Sequence, residues 1–200
     1  MQGIIDSPRA SLSAGLALAV LLVVISLIAG EIDRLSFLSF LVRLLHVLAA
    51  ATWIGLIVFV NFVQLVALQG ADEAARGVLH ASIVPAVARW FRHASTVTVL
   101  SGLVLLPLAG YLLPSLIYGT SVYLPAAKAM VLWTAVVGAL AMWMFVHMYI
   151  WPNMQIVLGL RGGDAGAKGA ARARVVLFAR LNLIIAVPVV SGMIAAAHLY

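Results

Sequence analysis

Five long stretches of the chain are apolar at nearly every position, and the short segments between them hold most of the charge. A helix needs about 20 apolar residues to cross a hydrocarbon core of about 30 Å. The stretches cover roughly residues 12–30, 36–66, 91–113, 124–151 and 176–199 and predict five transmembrane helices. The first, LSAGLALAVLLVVISLIAG, has no ionisable group, whereas each of the other four carries one histidine and several polar residues. The predicted fold is therefore an all-α integral membrane protein. Residues 1–34 hold a peripheral transmembrane helix, and 35–200 form a four-helix transmembrane bundle. The first apolar run is long for a signal-peptide core and no small-x-small cleavage site follows it, so the helix is expected to be retained.

Two segments break the pattern. ADEAARGVLHASIVPAVARWFR, residues 71–92, is amphipathic and begins with acids, which suits a helix amino terminus. It predicts an interfacial helix at 71–90, with Pro85 marking a kink or a boundary. RGGDAGAKGAARAR is rich in glycine and alanine and is expected to be a mobile loop.

Composition narrows the class. The chain is 65% hydrophobic and 9% charged, against about 45–50% and 25% for a soluble domain. A soluble enzyme and a disordered tail are excluded. The formal charge is +6, but the twelve basic residues sit at the ends of apolar runs rather than in a stripe, so no nucleic-acid partner is expected. The absence of cysteine excludes disulfides, iron–sulfur clusters, thiolate zinc sites and covalent haem attachment through CxxCH. Arg9, Arg76, Arg89, Arg92, Arg161, Lys168, Arg172, Arg174 and Arg180 fall on one side of the five-helix arrangement, and Arg34, Arg43 and Lys128 on the other. The amino terminus is therefore expected in the cytoplasm. The chain reads as a multi-pass protein of the bacterial inner membrane, with the lipid bilayer as its first partner.

Ionisable residues inside a membrane are functional candidates. His46 and His198 are expected near the outer ends of their helices, and His93 and His147 near the inner ends. A haem b iron accepts two neutral imidazoles from facing helices. His46 with His198 is the expected outer pair and His93 with His147 the inner pair, in layers roughly 20 Å apart at 1.5 Å rise per residue. Arg43, His46, Ala50, Trp53, Ile57, Asn61 and Gln64 share one stripe of the second helix, which predicts that this stripe faces inward. Arg43 and Arg89 lie one turn from His46 and His93, placed to meet haem propionates. Trp53 is a candidate for stacking on a cofactor, and Asn61 with Gln64 a possible polar site. His80 is expected to be solvated or interfacial. Lys128 either snorkels to the headgroups or faces the bundle.

Four local motifs occur in order: LLHVLAAATWIGLIVFVNFVQ, RWFRHASTVTVLSGLVLL, HMYIWPNMQIVLG and ARLNLIIAVPVVSGM. Together they resemble the membrane domain of the bacterial membrane-anchored urate oxidase (urate hydroxylase) family over residues 36–200. The matching positions are His46, Trp53, Asn61, Gln64, Trp90, Arg92, Trp151, Pro152, Asn153, Arg180, Asn182 and Pro188. The copper-resistance membrane proteins and a haem-b-binding membrane protoporphyrinogen oxidase family are similar more distantly. Full-length urate enzymes of this kind carry a cytochrome c domain after the membrane part, so the resemblance is to a short stand-alone form that passes electrons to a separate partner.

Three functions follow as expectations. The first is a b-type cytochrome-like electron-transfer subunit with one or two haems b, working between a quinone or donor enzyme and a partner such as a cytochrome c. The second is a urate-oxidase-like membrane oxidoreductase. The third is a cofactor-free accessory subunit of a larger membrane complex, with the first helix as its docking surface.

Overall fold

The computed structural model describes residues 5–30, 32–113 and 124–199, and all of the regular structure among them is helical. Five helices are long and apolar enough to cross a membrane. The chain divides into two units, Met1–Leu38 and Ser39–Tyr200. In the first, α1 spans Pro8–Ala29, opened by a proline whose missing N–H would have no intrahelical acceptor there. None of its residues is buried.

The second long helix starts at Arg34, where Asp33 Oδ1 accepts the backbone N–H groups of Leu35 and Ser36. It runs as α2 (Arg34–Phe59), a π-helical turn (Val60–Gln64) and α3 (Leu65–Gly70). The amphipathic segment forms α4 (Glu73–Ala81), capped by Asp72 Oδ1 accepting from Ala75 N at 2.8 Å. The helix axis breaks at Ser82, and α5 (Ile83–Leu108) follows. Pro85 thus lies in the first turn of α5, where a proline removes no intrahelical bond. The uncharged segment PSLIYGTSVYLP between the third and fourth apolar stretches falls almost entirely outside the described residues.

The fourth long helix is α6 (Ala126–Met144), a second π-helical turn (Phe145–Ile150) and α7 (Trp151–Val157). The final helix, α8, runs from Ala165 to His198. The glycine- and alanine-rich segment expected as a loop is therefore mostly helical. Asp164 Oδ1 caps it by accepting from Ala167 N at 2.7 Å, and its alanines are strong helix formers that outweigh its glycines. At 34 residues, α8 is about 51 Å long. That exceeds the hydrocarbon core by roughly 20 Å.

One apolar core draws on all four of these long helices: Trp53 and Ile57 from α2, Phe91, Ala94 and Val99 from α5, Met142 and Val146 from α6 and its π turn, and Ala186 and Val189 from α8. The α6–α8 pairing is the most extensive. Small residues allow it: a Cβ on Gly138 would lie 2.6 Å from Val189 Cγ2, and one on Gly192 would lie 3.0 Å from Ala135 Cβ.

Candidate functional site

The inward stripe of the second helix is present from His46 onward, but Arg43, expected on it, is exposed. Trp53, Ile57, Asn61 and Gln64 are all buried. His46 is half-buried, one turn after Arg43. His46 Nδ1 lies 2.9 Å from the Thr98 carbonyl oxygen and 3.3 Å from Ser101 Oγ, both on α5. A carbonyl only accepts, so the short bond places the proton on Nδ1. The lone pair is then on Nε2, for which the described residues offer no hydrogen-bond partner. The ring fits against Gly102, where a Cβ would come within 2.9 Å of Cε1. This is the tautomer and the anchoring found for metal-ligating imidazoles, whose other ring N–H is held by a carbonyl or carboxylate.

His147 sits in the second π-helical turn and is anchored in the same way. Nδ1 lies 3.0 Å from the Trp143 carbonyl oxygen, but Nε2 is 3.1 Å from Thr96 Oγ1. The Trp143 indole packs against the imidazole at a tilt of 33° with centroids 4.6 Å apart, and its Nε1 donates to the same Thr96 Oγ1 at 3.4 Å. His46 and His147 therefore engage α5 within five residues of each other, less than about 8 Å along its axis. They do not occupy layers 20 Å apart.

His93 and His198 are exposed. Phe91, Ala94, Ser95 and Thr98 are buried, and at 100° per residue His93 faces away from all four. No hydrogen bond or ring contact among the described residues joins His46 to His198 or His93 to His147. Arg89 is exposed on the same side as His93. Trp53 is 2% exposed within the apolar core, with Nε1 unpartnered. Lys128 faces inward: it is buried, with Nζ 5.1 Å from the centroid of the Tyr111 ring.

A cavity of about 360 Å³ opens at the other end of this unit. Its walls are largely apolar, from Leu65, Leu68, Val84, Phe91, Ile150 and Met154. Gln64, Arg76, His80, Arg92 and Arg172 also line it, and no carboxylate does. Gln64 Oε1 and His80 Nδ1 are buried without a partner. Arg76 donates through Nε to the Leu68 carbonyl at 3.2 Å and through an Nη to the Ala71 carbonyl at 2.8 Å, closing the end of α3. The Arg92 guanidinium lies 4.5 Å above the Trp151 ring. Both π-helical turns border the cavity, through Val60 and Gln64 on one side and Val146 and Ile150 on the other. Such turns widen a helix by one residue and are frequent at functional sites.

Sequence spacing did not bring this cavity to light. His80, read as solvated or interfacial, lines it, and so does Arg172, which lies 92 positions later. The available signal was the amphipathic pattern of 71–92 beside the basic 161–180 stretch. Above the cavity, Asn61 Nδ2 donates to the Ile57 carbonyl at 2.9 Å and across to the Ala179 carbonyl at 3.2 Å. Asn153 Nδ2 donates to the Tyr149 carbonyl at 2.7 Å, and Asn182 is fully buried with neither amide atom partnered. No family model matches the chain, and no curated protein and no solved structure matches it.

Proposed function

We propose that this chain is a membrane-embedded electron-transfer subunit of the b-type cytochrome kind, carrying one haem b on His46. The observation that supports it is the His46 imidazole. Its Nδ1–H is held by the Thr98 carbonyl, Gly102 leaves room for the ring, and the lone pair on Nε2 is uncommitted. That donor fits an axial ligand of haem iron. Arg43, one turn away and exposed, is the cation that would meet a propionate. A haem bound there supplies a one-electron couple. The chain's own contribution is to fix the imidazole tautomer and to seat the ring against α5 at Gly102. His147 has the same backbone anchor, but its Nε2 shares the Thr96 hydroxyl. His46 is therefore the stronger ligand candidate. The test is a reduced-minus-oxidised spectrum of the purified chain; a b-type signal lost in His46→Ala supports the reading, and no haem in the wild type defeats it.

A urate-oxidase-like oxidoreductase is a second reading, favoured by one observation. Residues from separate motifs of the resemblance (Gln64, Arg92 and Trp151) line one cavity although they are spread over 88 positions. Turnover of urate by the purified chain, alone and with a cytochrome c as acceptor, tests it.

A further inference from the structure

We infer that the cavity between the two π-helical turns is a binding site for an anionic phospholipid, with its phosphate at the arginines and part of one acyl chain between the helices. This inference rests on neither haem nor urate chemistry. Three features carry it. The walls are apolar, which suits a hydrocarbon chain and gives a small all-polar molecule little to bond to. Arg76, Arg92 and Arg172 converge on the cavity with no carboxylate among the lining residues. Their charge is therefore available to an anion. Gln64 is only 8% exposed, lines the same cavity and has an unpartnered Oε1.

The three features select one chemistry. A guanidinium presents a planar fork of N–H donors that matches phosphate oxygens. Arg92, with Cζ 4.5 Å from the Trp151 ring centroid, also lines the cavity. Gln64 lines the same wall, and its carboxamide suits a polar headgroup with a hydroxyl rather than the acyl chain. A phosphate diester with a neighbouring hydroxyl, on an apolar tail, satisfies all three, and phosphatidylglycerol has this make-up. Basic cavities between membrane helices are suited to anionic headgroups for the same electrostatic reason.

The experiment is native mass spectrometry of the full chain in a neutral detergent, titrated with phosphatidylglycerol or phosphatidylcholine. The expected result is retention of one phosphatidylglycerol, with phosphatidylcholine held at least about tenfold more weakly. Arg92→Gln combined with Arg172→Gln should weaken retention about tenfold or more, whereas Arg161→Gln, outside the cavity, should not. Loss of one charge-assisted contact is worth about 1.5–3 kcal/mol, or roughly tenfold or more. Ala88→Leu fills the cavity without changing charge and should reduce retention by a similar factor even if the double arginine variant does not fold. Equal retention of both lipids overturns the inference, as does retention unchanged in Ala88→Leu. Displacement of the lipid by inorganic phosphate at equal concentration shows a bare anion site and overturns the role of the tail. Displacement by urate assigns the cavity to a purine and also overturns it.

Discussion

His46 and the cavity, at the two ends of the four-helix unit, differ in how the polar groups around them are satisfied. At the His46 end, polar side chains answer to backbone. His46 bonds the Thr98 carbonyl, Thr98 Oγ1 donates to the Ala94 carbonyl at 2.8 Å, and Gly102 leaves room only for the ring. At the cavity end, polar atoms stay open: Gln64 Oε1 and His80 Nδ1 have no partner, and Arg76, Arg92 and Arg172 meet no carboxylate along the lining. A buried polar group without a partner costs about 1–3 kcal/mol. The polar groups of α5 around His46 therefore fix one imidazole, while the cavity keeps arginine charge that no lining carboxylate offsets. The contrast shows that polar residues on one inward stripe of a helix need not serve one site.

Five substitutions break or sharpen this contrast. Gly102→Leu should have the largest effect, because its side chain enters space held by the His46 ring. A loss of about 2 kcal/mol in stability is expected from the overpacking, together with loss of any haem signal, read from thermal melts and spectra in detergent. Unchanged spectra in a folded variant would separate His46 from the cofactor. Next comes a paired test at the asparagines. Asn61→Leu removes two bonds to backbone carbonyls and should destabilise by about 1–2 kcal/mol, whereas Asn182→Leu removes an unpartnered amide and should be neutral or stabilising by about 1 kcal/mol. Shifts of the same sign in melting temperature would contradict the distinction between satisfied and open polar groups. Arg92→Lys keeps the charge but replaces the guanidinium over Trp151 with an ammonium, and a loss of about 0.5–1 kcal/mol is expected. Ser101→Ala should be the mildest, because the Thr98 carbonyl at 2.9 Å still holds Nδ1 when the 3.3 Å contact is removed; a shift below about 0.5 kcal/mol is expected.

The number of long helices and the inward stripe from His46 to Gln64 were legible because both depend on local periodicity. Burial of Trp53, Ile57, Asn61 and Gln64 follows from 100° per residue alone. The early start of α8 was less legible, since its glycines argue for a loop until Asp164 is recognised as the cap. The π-helical turns leave no mark on hydropathy, although Pro152 lies two residues beyond the second one, where its missing N–H interrupts the regular helical ladder. The position of each histidine along its own helix could be read from the sequence, but its neighbours could not. His93 shares a helix with Thr98 and Gly102, yet it turns away from the buried face they help define. His80 and Arg172 meet only because helices distant in sequence close on each other, which no spacing rule conveys.

The most direct measurement is the haem content of the purified chain, taken as a pyridine haemochrome per polypeptide for the wild type and for His46→Ala. The account predicts one haem b per wild-type chain and at least about a tenfold loss in the variant, with helicity preserved. Full haem retention in His46→Ala, or a wild type that takes up no haem when haem is supplied, would contradict it.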